Sequence, residues 1–361
     1  MRLLLIGFVI VLFSYACTDV NPGAGNNTNT GNNTNTGIST EWLIPVNSVF
    51  DGGPGKDGIP ALENPPKEAG AAVTFLQDNE LVLGYFDGEK AIAYPHQILD
   101  WHEIINDVHN GTALAITYCP LTGTGIGWNP KIKGIFTTFG VSGLLFNNNL
   151  IPYDRKTGSN WSQAKLECVN GDLIGTEIET FQLVETDWTT WKTIYPETSV
   201  VSLNTGHDRS YGSYPYGDYR TNHNNLIFPL DIDDKRLDRK ERVHGIIVDG
   251  RAKAYRFGSF SSNTTLINDS FQGVEVIVVG DASRNFIVSY YRKLNDGSTP
   301  TFTAVDENNI ILEDDQGNKW DVFGYAVSGP AEGQRLRRTE SFIGYWFAWG
   351  AFYPEAEIYD F

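Results

Sequence analysis

Methionine is nearly absent from this 361-residue chain, and cysteine occurs only as Cys17, Cys119 and Cys168. Positive charge is scarce too: 27 lysines and arginines stand against 44 aspartates and glutamates, and no stretch gathers them into a basic stripe. A net charge of -17 without such a stripe excludes nucleic acid as a partner, because phosphate binding needs clustered cations. The commoner cause of an acidic balance is solubility. Also missing are a G-x-S-x-G elbow, a P-loop, a dinucleotide glycine fingerprint and an H-E-x-x-H pair, which counts against hydrolase, nucleotide-dependent and zinc-protease readings. Glycine, asparagine, threonine and aromatic residues are plentiful instead, and only 20% of residues are charged. That composition predicts a β-dominated α+β body rich in turns, not a helical bundle.

The N-terminus reads as an export signal over residues 1–16: Arg2, an apolar run from Leu3 to Phe13, then Ser14-Tyr15-Ala16 before Cys17. The run is too short to span a bilayer well. Small residues directly before a cysteine resemble a bacterial lipobox, in which Cys17 would carry the lipid. The stretch that follows, NPGAGNNTNTGNNTNTG from Asn21 to Gly37, has nothing to bury and suits a polar tether. Residues 17–40 are therefore expected to be a lipidated cysteine and its tether, anchoring the body to a bacterial envelope membrane on the periplasmic or outer face. In that oxidising compartment Cys119 and Cys168 either bond to each other or stay as thiols, and both options are open.

The body repeats itself. Val82, Gly84, Gly88, Ala93 and Tyr94 return as Val243, Gly245, Gly250, Ala254 and Tyr255; Ile105-Asn106-Asp107 returns as Ile267-Asn268-Asp269; W-x-x-W-x-x-x-Y-P-E occurs at Trp188 and again at Trp346. Ordered pairs at a nearly constant offset predict two tandem, similar halves in a pseudo-two-fold relationship, over 80–198 and 242–356. Residues 41–79 form a lead-in and 199–241 an insertion between the repeats. Residues shared by both halves are expected to build the fold, among them Asn106, Asp107, Trp161, Trp188 and Trp191, with the Asn-Asp pair serving a turn or cap. Residues carried by one half alone are free for chemistry: His102 and Glu103 face Thr264 and Thr265, Cys119 faces Asp281, Arg155 faces Asp314, and Gln163 faces Val322.

Several motifs together, WHEIIND, TYCPLTGT, FGVSGLLFNNNLIPYDRKTGSNWSQ, PYGDY and WFAWGAF, resemble the DUF3179 family of bacterial and archaeal proteins. The resemblance implies no reaction. It does imply a set of positions: His102, Glu103, Cys119, Asp154, Arg155, Ser159, Trp161, Gln163 and Tyr211 to Tyr219, including Tyr216 and Asp218. Many relatives read C-P-L-C where this chain has Thr122, so a dithiol couple within the loop is unavailable here.

The residues favour one site in the first half. A helical stretch carrying Trp101, Ile104 and Ile105 is expected to lead into Asn106-Asp107, and a β-rich run Ala113 to Tyr118 to deliver Cys119 to a Pro-Leu-Thr-Gly turn at a sheet edge. There His102 would act as base toward the thiol or help depress its pKa, with Glu103 alongside. Cys119 and His102, joined by Glu103 or His96, would be the ligands if a transition metal is held. Asp154, Arg155, Gln163, Tyr211, Tyr216, Asp218 and Tyr219 would line a small-molecule or glycan ligand. The leading expectation is a single-cysteine envelope enzyme or redox protein, and the rival is a non-catalytic module binding a glycan or protein through aromatic loops.

Overall fold

Apolar residues alternating along short runs, punctuated by glycine and asparagine turns, set the architecture. The computed structural model describes residues 41–360, so the expected export signal, Cys17 and the tether lie outside the described residues. The chain is β-dominated and built from several small antiparallel-rich sheets. Its three α-helices among the described residues, α1 (His96–His102), α2 (Trp188–Ile194) and α3 (Trp346–Phe352), are two turns each.

Strands Leu81–Phe86 and Ala91–Pro95 pair antiparallel, and Ser199–Val201 joins the second of them in parallel. Ala91–Pro95 is buried throughout, as a central strand covered on both faces must be. Strands Arg242–Val248 and Arg251–Arg256 form a comparable antiparallel pair, with Glu357–Ile358 added in parallel. In each pair a mid-strand glycine carries a tryptophan from a helix: a Cβ on Gly84 would come 2.0 Å from the Trp191 ring, and one on Gly245 would come 2.2 Å from Trp349. Glycine weakens a strand, but here it opens room for the largest side chain to seal the core.

A second sheet orders Thr124–Trp128, Thr112–Cys119, Ile104–His109 and Leu62–Glu63 side by side. A third holds Phe139–Phe146 against Asn149–Asp154, with a bulge between Val141 and Leu144. Gly143 at that bulge has φ +81 and lies so near Gly55 that a Cβ would meet its backbone at 2.7 Å, so only glycine fits. The third sheet supplies one wall of the site through Val141, Gly143, Leu144, Leu145 and Leu150, and Glu103 and Leu121 flank strands of the second.

Two local expectations are corrected. The helix stops at His102, and Ile104, Ile105, Asn106 and Asp107 lie in strand Ile104–His109, where cross-strand pairing overrides the helical spacing. Asn106 and Asp107 accordingly cap nothing; Asn106 ties to the Phe139 backbone by two hydrogen bonds of 2.8 Å, and Asp107 accepts from Tyr94 at 2.9 Å and from Lys67 at 2.5 Å. Strand Thr112–Cys119 is also interior to its sheet, not at an edge, so Cys119 is buried with 1% of its surface exposed.

Candidate functional site

Between α1 and the next strand the chain must reverse from helix to sheet, and Glu103 absorbs the change with φ 58 and ψ -34. Such a conformation is strained for any residue with a Cβ, and strain of this kind persists where the surroundings impose it. The Glu103 amide still bonds back to Leu99, at 2.8 Å, and its carbonyl accepts from the Tyr118 amide at 2.7 Å. This last bond fixes the register that brings Glu103 alongside the end of the cysteine-bearing strand.

The carboxyl of Glu103 faces a cavity of about 240 Å³ whose lining includes Pro54, Ile59, Leu121, Val141, Leu150 and Phe228. Apart from Glu103, the only ionisable side chain on the wall among the described residues is Tyr216. Glu103 is 6% exposed, and among the described residues no donor reaches its carboxyl. Burial pushes it up to about 8, so at neutral pH it is mainly the neutral acid. Burial raises the Tyr216 hydroxyl as well, with added repulsion from Glu103 and Cys119, and that hydroxyl also has no hydrogen-bond partner among the described residues. Two polar groups without protein partners thus converge in an apolar hollow, the usual composition of a small-molecule site.

Cys119 stands behind this wall. Its thiol donates to the Asn148 carbonyl at 3.4 Å, and Asn148 in turn holds Phe228 by paired hydrogen bonds of 2.8 and 2.9 Å. Burial, then Glu103, push the thiol up to about 11 despite hydrogen bonds from Thr122 and Leu150. Cys119 is therefore a thiol, not a thiolate. Cys168 is likewise a free buried thiol, and the bond between the two is not formed.

His102 does not meet the sulfur. Nδ1–H donates to the Pro60 carbonyl at 2.7 Å and Nε2 accepts from Tyr211 at 2.7 Å. With both nitrogens engaged and burial lowering it to about 4, the ring is a neutral strut under the Tyr211 loop. The expected pairing of His102 with Cys119, as base or as metal ligands, fails for that reason; among the described residues no three His, Cys, Asp or Glu side chains gather to hold a metal ion.

The remaining expected lining residues are mostly engaged elsewhere. Asp154 is fully buried, accepting from the Thr157 amide at 2.7 Å and Trp161 Nε1 at 3.2 Å, so it organises its own turn. Arg155 pairs with Glu63 at the surface. Gln163 is locked between Asn149 at 2.7 Å, Thr117 at 3.0 Å and the Thr124 carbonyl at 3.1 Å. Asp218 is exposed and holds Asn222 at 2.9 Å. Tyr219 is buried, its ring under the Lys240 ammonium at 3.3 Å. Tyr214 donates to the Pro120 carbonyl at 3.0 Å. The tyrosines of the insertion thus turn mainly inward, and only Tyr216 lines the cavity.

Sequence reasoning missed Ile227 and Phe228, which close the cavity from the insertion. Their signal was the apolar run LIFPL inside an otherwise polar segment. It missed equally the wall from Gly52 to Ile59, for which no local pattern exists.

The family described as "Protein of unknown function (DUF3179)" matches residues 56–356. Neither the curated proteins nor the solved structures yield a match.

Proposed function

The chain belongs to the DUF3179 family, and from that premise, which brings no chemistry of its own, we propose that it is an envelope lipoprotein that receives a small apolar molecule in the Glu103 cavity and acts on it by acid catalysis. Glu103 is the proton donor, Tyr216 its companion, and Cys119 a buried support for the Asn148 turn. One observation carries the reading: a nearly buried carboxyl, held in a strained backbone and without a protein partner, opens on an apolar hollow. An acid tuned toward neutrality by burial can donate and regain a proton at the pH of its surroundings. This replaces the thiolate of the leading expectation. The rival, a glycan- or protein-binding surface, has less support because its tyrosines are engaged inside the fold. The envelope address rests on the sequence before residue 41 alone.

The reading includes the duplicated fold, with the site in the first half. What supports it is matching chemistry at matching places. Tyr94 donates to Asp107 at 2.9 Å and Tyr255 to Asp269 at 2.7 Å; Trp161 donates to Asp154 at 3.2 Å and Trp320 to Asp314 at 3.1 Å. The last pair aligns Asp314 with Asp154, not with Arg155, and so makes Asp154 a shared structural residue. Strands Thr112–Cys119 and Val274–Asp281 end alike, leaving Cys119 opposite Asp281.

Infrared difference titration tests the acid. The expected result is one carboxylic acid ionising near pH 8, absent from Glu103→Gln, together with 1:1 binding of the neutral fluorophore naphthalene that Leu145→Trp abolishes. A Glu103 that ionises near its ordinary 4.5 sinks the reading.

A further inference from the structure

The lining of the cavity restricts what can enter it. Among the described residues no lysine, arginine or histidine is on its wall, so an anionic ligand would meet a desolvation cost without a compensating charge. A cation fares little better: an ammonium brings three donors into a hollow whose side-chain acceptors among the described residues are one carboxyl and one phenol, and the apolar side chains offer its other protons nothing. A neutral apolar molecule with no polar atom would leave the Glu103 carboxyl and the Tyr216 hydroxyl both dry and unpaired, which is unfavourable for each. One arrangement satisfies every group. An oxygen bearing two lone pairs accepts from the Glu103 acid and the Tyr216 hydroxyl together, while its hydrocarbon body packs against Ile59, Leu121, Leu150 and Phe228.

Resting on the acid-site reading above, we propose that the ligand of this cavity is a small neutral carbonyl compound, with its oxygen seated between Glu103 and Tyr216. The volume of about 240 Å³ suits a molecule on the order of ten non-hydrogen atoms. Both donors are held by elements that do not depend on the ligand. Glu103 is fixed by its backbone bonds to Leu99 and Tyr118. Tyr216 packs against the Tyr214 ring at 5.5 Å, which is itself anchored to Pro120 and covered by the Arg220 guanidinium at 3.9 Å. Paired donors set in an apolar wall are preorganised, so they polarise a carbonyl more than water does.

Three molecules of one shape distinguish the alternatives: acetophenone, ethylbenzene and 1-phenylethylamine, each competing with naphthalene on the full folded protein at pH 6.5. Acetophenone is expected to bind about tenfold more tightly than ethylbenzene, since a site built around donors rejects the analogue that cannot accept. The infrared carbonyl stretch of bound acetophenone is expected below its frequency in water. Tyr216→Phe, which removes a hydroxyl that no protein group uses, is expected to return part of that shift, and Glu103→Leu the rest. A stretch at the position seen in alkane, or tightest binding by 1-phenylethylamine, overturns the carbonyl assignment while the infrared titration of Glu103 keeps the acid site standing. Failure of naphthalene to bind overturns both. The wild-type stretch decides the question even if a variant does not fold.

Discussion

Glu103 is the residue on which the site depends, and its environment makes the protein less stable wherever the carboxyl must ionise. The unfolded chain releases this proton near 4.5, whereas burial holds it in the folded protein up to about 8. Below 4.5 both states are protonated and the group contributes no pH dependence. As pH rises from 4.5 to 8 the unfolded state binds fewer protons, so stability falls, and above 8 the loss levels off at a value on the order of 5 kcal/mol. Glu103→Gln keeps the shape and removes the titration. Urea unfolding of the two proteins from pH 4 to 9 should therefore show the variant gaining on the wild type steadily up to about pH 8; parallel curves would mean that the carboxyl is already solvated. A neighbouring residue illustrates why side-chain type alone named both His102 and Glu103 without separating them. His102 and Glu103 are adjacent in sequence, yet the left-handed turn at Glu103 sends one toward Pro60 and Tyr211 and the other into the cavity. Which of the two faces the cavity depends on a backbone angle that no residue pattern records.

At the scale of elements, the strand pair Leu81–Phe86 and Ala91–Pro95, the tryptophan-bearing α2 and α3, and the strand ending at Cys119 were legible, because alternating apolar residues and glycine turns are local signals. Three things were not. Ile104 and Ile105 have helical spacing but are taken by a sheet neighbour. The depth of Cys119 follows from the strand order within its sheet. The cavity wall joins Gly52–Ile59, Leu144 and Ile227, which come together only through long-range packing. The recurring glycine against tryptophan was legible as a repeated motif and becomes a physical constraint in the fold. A methyl group at either glycine would lie inside the indole, so Gly84→Ala and Gly245→Ala should each destabilise by about 2–3 kcal/mol, the usual range for overpacking a tight core. Thermal and urea unfolding of both variants checks this. If the two halves are built alike, the losses should agree closely; a Gly245→Ala protein as stable as the wild type would remove the structural equivalence.

Over the whole molecule, earlier and later strands are joined by an ion pair on a buried carboxylate as well as through apolar packing. Arg242, at the start of strand Arg242–Val248, reaches Glu185 in strand Val184–Asp187 and donates to Asn285 at 2.7 Å, while His96 at the start of α1 stands 3.5 Å from the other Glu185 oxygen. Burial alone would raise the Glu185 carboxyl, but Arg242 and His96 together bring it down to about 2. A depressed carboxyl contributes stability that is fully present above its unfolded value of 4.5 and is lost as pH falls toward 2. That is the reverse of Glu103, so the two acids tilt the stability curve in opposite directions on either side of pH 4.5 and favour a maximum in the mildly acidic range. The junction also links the Glu103 cavity to strand Arg242–Val248, since α1 carries His96 at one end and leads into Glu103 at the other. Replacing Arg242 with Met leaves a carboxylate that is only 5% exposed without its main partner, which should cost about 3 kcal/mol or more at pH 7. The loss should shrink when the measurement is repeated near pH 4, where Glu185, no longer held ionised by the arginine, takes up a proton in the variant. Equal losses at both pH values would show that Arg242 acts by packing and not by charge.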